Sequence, residues 1–282
     1  MTPGIGGRTV VRVLTRNDLL SRTPEEFLAL SPEAYREEYR LTAKSIAALT
    51  GDRLAFLRSI LVIEQRLAAF GVSLVTSADA HYPALIEEMD PDPPGALFLY
   101  GNMRLLDANT FSVLSSRNAR SADLDLIERL TELGVLNGEV LVTSHNKPEY
   151  QRSAVVPLRW GSPRILCFDC GIFTVLGEDL KSEAFTAARL WRYEFDAKTD
   201  LVISPFRPDA QFIGQNNKIR DKLVACLSKR LDFVQISSGG GMEKLARMAL
   251  KANRKVRVSD RILNYRELRT AGAEVINPDE LA

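Results

Sequence analysis

This sequence predicts an α/β fold built on a wound sheet, and two observations carry that reading. Seven short segments are almost continuously apolar instead of alternating: Phe111–Leu114, Val140–Thr143, Ile165–Phe168, Leu201–Ser204, Phe233–Ile236, Lys255–Val258 and Glu274–Ile276. Helical stretches fit between several of them, at Asp123–Gly134, Lys218–Lys229 and Met242–Asn253. Strands that are apolar on both sides belong to a parallel sheet covered on both faces, and strand–helix alternation supplies the covering layers. The expectation is a Rossmann-like domain with a parallel or mixed sheet and helices on both faces, preceded by a small N-terminal helical module.

The helical module occupies residues 1–70 and the Rossmann-like domain residues 71–282 in this reading. Thr23-Pro24-Glu25-Glu26 supplies an N-cap, a proline at the first helical position and acids in the first turn, and Ser31-Pro32-Glu33 repeats that grammar. A longer helix from Gly51 to Phe70 follows from the helical spacing of Leu54, Leu57, Ile60, Leu61, Ile63, Leu67 and Phe70, and Gly71 is placed to stop it. Val72–Thr76 reads as a strand. Asp90-Pro91-Asp92-Pro93-Pro94 cannot continue a helix and reads as an extended connector, and Ala96–Tyr100 is a strand ending at Gly101-Asn102.

Composition narrows the function classes. The chain has 282 residues, 45% of them hydrophobic and 26% charged, which excludes a mainly disordered or collagen-like chain. Three cysteines do not make a disulfide framework, so a reducing, cytoplasmic setting is expected. No apolar run approaches the ~20 residues that span a bilayer, and Met1 to Arg16 contains no apolar segment like that of a signal peptide. The net charge of +1 hides an asymmetry. Ser204 to Arg269 carries fifteen Lys/Arg against six Asp/Glu, so the rest of the chain is acidic. A confined anion site on the C-terminal third fits this distribution; a solvated basic helix face is the plainer alternative.

Three constellations place phosphate-binding groups just beyond strands. Ser115-Ser116-Arg117 follows Phe111–Leu114, where ligands collect in open parallel sheets; small residues let backbone N–H groups approach an anion and the arginine adds a two-pronged donor. Ser237-Ser238-Gly239-Gly240-Gly241 links a strand to the helix starting at Met242, and its entropy cost suits a close approach of backbone to a ligand. It matches neither a dinucleotide fingerprint nor a Walker loop. Gln215-Asn216-Asn217-Lys218-Ile219-Arg220 puts amides and cations in a helix's first turn, against the macrodipole unless an anion sits there. The phosphate-binding candidates are therefore Ser115, Ser116, Arg117, Asn217, Lys218, Arg220, Ser238, Gly239, Gly240 and Gly241. Solvated loops and a flexible turn are the alternatives. Cys167 and Cys170 have CxxC spacing but no second pair, so apolar packing accounts for them better than metal or redox chemistry. His81 and His145 are too scattered for an obvious zinc site, although His145 follows a strand and can line the same crevice. No cofactor and no catalytic residue is expected.

These pieces, in this order, resemble the DprA/Smf family of DNA-processing proteins. Phe70 to Leu85, with Asp79 and Tyr82-Pro83-Ala84-Leu85, is similar to that family's entry segment. Pro93-Pro94-Gly95-Ala96-Leu97-Phe98-Leu99-Tyr100-Gly101-Asn102 is similar to its Pro-Pro to Gly-Asn stretch, and Asn264 to Ile276 to its closing element. The sequence departs where the family carries Val-Gly-Ser-Arg, which reads Leu114-Ser115-Ser116-Arg117. It departs again at Ser144–Ser153, which lacks a Gly-Ile-Asp, and at Phe212–Lys218, which lacks arginines. A C-terminal winged helix, a further module of the family, is not expected. The resemblance implies a non-enzymatic role: single-stranded DNA binding in DNA processing, recombination, natural transformation or DNA defence, with a homodimer, a RecA-type recombinase as partner and no membrane. A LOG-like nucleotide sensor or nucleotide N-glycosidase, with Glu243 as its carboxylate, is the competing reading. A scaffold with a decayed pocket is the third.

Overall fold

The computed structural model describes residues 5–117 and 119–280; the first four residues of the N-terminal segment lie outside it. In chain order the elements are α1 (Gly7–Leu19), α2 (Pro24–Leu28), α3 (Pro32–Glu37), α4 (Ala43–Thr50), α5 (Arg53–Phe70), β1 (Ser73–Thr76), α6 (Ala84–Met89), β2 (Ala96–Gly101), β3 (Thr110–Ser115), α7 (Ser121–Leu136), β4 (Val140–Thr143), α8 (Pro148–Ala154), α9 (Val156–Trp160), β5 (Arg164–Cys167), α10 (Ile172–Leu176), β6 (Leu201–Ser204), α11 (Asn216–Cys226), β7 (Arg230–Gln235), α12 (Gly241–Lys251), β8 (Lys255–Ser259), α13 (Tyr265–Thr270) and β9 (Glu274–Ile276). The N-terminal helices follow their caps. Thr23 and Glu26 form a capping box, Ser31 accepts from Ala34, Asp52 accepts from Ala55, and Gly71 closes α5 in the left-handed region at φ 68°.

One nine-stranded sheet runs in the order β1-β2-β6-β5-β4-β3-β7-β8-β9. Strands β3 to β9 pair in parallel, while β2 pairs antiparallel with both β1 and β6, so the sheet is mixed. The chain moves outward from β3 through β4 and β5 to β6, then returns to lay β7 on the other side of β3. That reversal opens a crevice at the carboxyl ends of β3 and β7, where α/β sheets bind ligands.

Both faces are dry, as the apolar runs require. Val140 and Val142 enter a core with Leu223 of α11 and Leu245 of α12, whereas Leu141 between them packs with Leu126, Ile127 and Leu130 of α7 on the opposite face. Strand β7 begins at Arg230, three residues before its expected start. Its charges are accommodated by pairing: Arg230 meets Glu139 at 2.6 Å, and the fully buried Asp232 accepts from Arg257 Nε at 2.6 Å.

The family-like motifs of the second region have structural work to do. Asp79 Oδ2 accepts from the Thr76 amide at 2.7 Å, and the Tyr82 hydroxyl donates to the Pro94 carbonyl at 2.8 Å, tying the two motif segments together. Gly101 sits at φ 115°, and a Cβ there would lie 2.1 Å from the Asp200 carbonyl oxygen. Asn102 caps the short helical turn that follows, accepting from Arg104 at 3.2 Å. Gly101→Ala combines backbone strain with a clash against backbone that cannot give way. A loss of at least about 2 kcal/mol is expected, to be read as a fall in denaturation midpoint; an unchanged midpoint contradicts this account.

A second cluster of charges lies at the amino ends of β5 and β6. Arg164 is fully buried; its Nε donates to Asp200 at 2.9 Å, its Nη1 to the Ala154 carbonyl at 3.0 Å and its Nη2 to Glu183. Arg192 adds a donor to Asp200 at 2.8 Å.

Candidate functional site

A cavity of about 420 Å³ occupies the crevice at the strand-order reversal. It is lined by Ser115, Ser116 and Arg117 after β3, by Lys147, Glu149 and Tyr150 at the start of α8, by Asn217, Lys218 and Asp221 of α11, and by Ser237, Gly240, Gly241 and Met242 after β7. The fold contains a larger cavity of about 920 Å³, but Asp107 and Lys229 in its wall precede β3 and β7 and put it at the amino ends of those strands. The smaller one stands at the end of the sheet where ligands collect and where helix N-termini point.

The two loops at the reversal are stapled to each other. The Ser116 amide donates to the Gln235 carbonyl at 2.8 Å, and the Ser237 amide donates to Ser116 Oγ at 2.9 Å. The register between β3 and β7 slips at Leu114/Ser115, which turns the loop towards its neighbour. Ser116 uses its hydroxyl for this staple.

The glycine loop is a tight turn. The Gly240 amide donates to the Ser237 carbonyl at 2.9 Å, and Gly239 lies at φ 70°, where a side chain would be strained. Glu243 Oε2 accepts from the Gly239 amide at 2.8 Å, and its Oε1 accepts from Arg247 at 2.7 and 2.9 Å. The Gly239 N–H, and after it the Arg247 guanidinium, hold the Glu243 carboxyl below the usual carboxylate range. A lowered acid stabilises the folded loop at all pH above its unfolded value and loses that contribution as pH falls through the lower folded one. Hydrogen exchange of the loop, corrected for intrinsic rate, is therefore expected to stay flat from pH 7 to 5 and to rise only below about 4, since ordinary glutamate titrates near 4.3. Loosening already at pH 6 contradicts this. Glu243 is thus committed to shaping the loop, and the free carboxylate that an N-glycosidase reading asked of it is absent.

Helices α8, α11 and α12 all begin at the cavity, and none of the three has a side-chain cap among the described residues. Pro148 has no N–H, and the Asn216 and Lys218 amides of α11 already donate to the Ile213 and Gln215 carbonyls, so the start of α12 supplies the main set of open donors, with the positive end of the helix behind it. Cations complete the rim: Arg117 and Lys218 are exposed, and Lys147 is half-buried, with Arg117 nearby. Burial first, then the nearby charges of Arg117 and Arg220, push the Lys147 ammonium below its ordinary value. A docked anion relieves all three.

Of the sequence-predicted residues, Ser115, Ser116, Arg117, Asn217, Lys218, Gly240 and Gly241 line one cavity. Ser238 and Gly239 stand on the exposed outer turn of the loop, outside the lining. Arg220 departs from its expected placement. It is fully buried behind the cavity, donating to Ser144 at 2.7 Å, Asn146 at 2.5 Å, Asn217 at 2.8 Å and Asp221 at 2.8 Å, with its guanidinium 4.5 Å from the Tyr150 ring centroid. It cannot offer those donors to a ligand; it positions the side chains that surround one. His145, expected in the crevice, is buried against Phe168 and is not part of the lining. Burial, with Arg220 beside it, holds its pKa at about 4. Lys147, Glu149, Tyr150 and Asp221 are additions. The signal for Lys147 was available: a cation between a strand end and Pro148, the first residue of the next helix.

Residues 73–144 match the family model of DNA recombination-mediator protein A. No curated protein matches the chain by sequence. Among solved structures, it is similar to DNA processing protein A of Streptococcus pneumoniae, with 17% identity, a TM-score of 0.70 and coverage of 99% of this chain and 93% of that one. It is also similar to DNA processing protein A of Helicobacter pylori, with 20% identity, a TM-score of 0.55 and coverage of 75% of this chain and 94% of that one. At those identities the structures establish the shared fold, and the family model adds a match confined to residues 73–144.

Proposed function

We propose that this protein binds single-stranded DNA through the crevice at the carboxyl ends of β3 and β7 and acts in DNA processing and recombination. The observation that carries the reading is the convergence of four strand-end segments, three uncapped helix starts and the cations Arg117, Lys147 and Lys218 on one cavity. Backbone amides and cations at a helix start suit phosphate oxygens, and such contacts hold a strand without reading its sequence. The Helicobacter pylori protein is described as binding single-stranded DNA, and this chain shares its fold. Ser115, Ser116, Arg117, Lys147, Asn217, Lys218, Gly240 and Gly241 form the contact surface in this proposal, with Ser238 and Gly239 at its outer lip.

The acids Glu149 and Asp221 do not close the site to an anion, because both are engaged. Glu149 Oε1 accepts from the Ala119 amide at 3.3 Å, and Asp221 Oδ1 from the Tyr150 hydroxyl and Arg220 Nε, each at 2.8 Å. Loading of a RecA-type recombinase from a homodimer, in the cytoplasm, completes the proposal. No described helix is long and apolar enough to cross a membrane.

Fluorescence anisotropy of a labelled oligonucleotide across a range of salt concentrations tests the reading. Each neutralised phosphate contributes about −0.7 to the log–log slope for a single strand. Binding with a slope near −2, and weaker binding to duplex of the same length, is expected; binding that is absent or independent of salt overturns it.

A further inference from the structure

We propose that His145, Asp169 and Cys170 form a site for a single zinc-class divalent cation. His145 follows β4, and Asp169-Cys170 follows β5, so the sheet brings the two loops side by side. One ligand atom from each residue lies within 4.8 Å of the others, and all three residues are buried. Tetrahedral zinc holds its ligands about 3.3–3.8 Å apart, as follows from bond lengths of about 2.0–2.3 Å. Closing the present spacing therefore takes about an ångström of side-chain movement. Imidazole, carboxylate and thiolate are the donors that suit zinc, with water in the fourth position.

A second observation points the same way. His145 Nδ1 is buried without a hydrogen-bond partner among the described residues, and His145 as a whole is only 9% exposed. An unpaired ring nitrogen in a dry place costs free energy, and a metal ion satisfies it. Asp169 is already oriented: its Oδ2 accepts from Asn146 and lies 3.4 Å from Arg220 Nη1, and its carbonyl accepts from Asn216 Nδ2 at 2.8 Å. Such outer contacts aim a metal ligand and leave its second carboxylate oxygen for the ion.

Charge also balances. The buried Arg220 faces two carboxylates, Asp169 and Asp221, leaving one negative charge unmatched. Binding replaces the proton of Cys170 by a sulfur–metal bond and releases that proton to solvent. A 2+ ion with one new thiolate adds a single positive charge. The ion then ties the ends of β4 and β5 together behind the crevice, next to the net that holds Asn146 and Asn217. None of this depends on what occupies the crevice.

The test uses untagged full-length protein stripped with EDTA and titrated with Co²⁺, then with Zn²⁺. Expected are one equivalent of Co²⁺, a near-ultraviolet thiolate-to-cobalt charge-transfer band, displacement by one equivalent of Zn²⁺, and micromolar or tighter affinity. Cys170→Ser is expected to abolish the band, whereas Cys167→Ser and Cys226→Ser keep it. His145→Leu, which fills the same space, is expected to weaken Zn²⁺ binding at least tenfold, with folding checked by circular dichroism. Should Cys170→Ser fail to fold, the wild-type spectrum and His145→Leu decide. No band in the wild-type protein, a band that survives Cys170→Ser, or full affinity in His145→Leu overturns the site.

Discussion

Alanine at Arg117, Lys147 and Lys218 together is expected to weaken binding of a single-stranded oligonucleotide at least a hundredfold. A hydrogen bond to a charged group contributes about 1.5–3 kcal/mol, so each lost phosphate contact costs roughly tenfold or more in affinity. The salt slope should flatten by about 2, since three phosphates each contribute about 0.7. Lys229→Ala, at the amino end of β7 in the wall of the other cavity, is the control and should change neither quantity. Arg220→Lys probes a different role. Lysine keeps the charge but cannot reproduce four donors to Ser144, Asn146, Asn217 and Asp221. Affinity should fall with the slope nearly unchanged, because Asn217 and Asn146 lose their positions while the rim keeps its charges. A triple variant that binds with wild-type affinity and slope removes the crevice from consideration.

The largest expected effect on stability comes from Asp200→Ala. Asp200 is fully buried and accepts from Arg164 and Arg192. Its removal leaves the Arg164 guanidinium in the interior with Glu183 as its one remaining carboxylate among the described residues. Breaking a buried pair from one side typically costs about 3–5 kcal/mol. In a protein of this size that corresponds to a fall of about 10 °C in thermal midpoint. Replacing the whole set by apolar residues of similar volume should cost far less, because no charge is then stranded. A midpoint within 2–3 °C of wild type for Asp200→Ala, on the same roughly 2–4 °C per kcal/mol scale, contradicts this account of the cluster.

Much of the site was legible before any coordinates. Serines, an arginine and glycines immediately after apolar strands mark the ligand end of a parallel sheet, and the structure brings seven of the predicted residues to one cavity. The readings that changed share a cause. Arg220 and Lys218 are two residues apart on one helix, and the one-dimensional pattern cannot tell which faces ligand and which faces inward. The orientation of α11 settles it, sending Arg220 into a net with Ser144, Asn146 and Asp221. Glu243 could be read as a helix N-terminal acid or as the competing reading's carboxylate, because its partners, the Gly239 amide and Arg247, depend on the turn that the glycines make. The start of β7 was missed because Arg230 and Asp232 look solvated until Glu139 and Arg257 are found beside them.

By itself the sequence determined the wound α/β fold, since near-continuous apolar strands can only be stable with helices on both faces, and it located the loops that line the crevice. Tertiary structure decided the strand order, the antiparallel placement of β1 and β2, and which charges meet in the interior. Those facts rest on contacts between residues far apart in the chain. Local preference can require that Arg164 or Arg220 find partners, but only folding brings Asp200 and Asp169 to them.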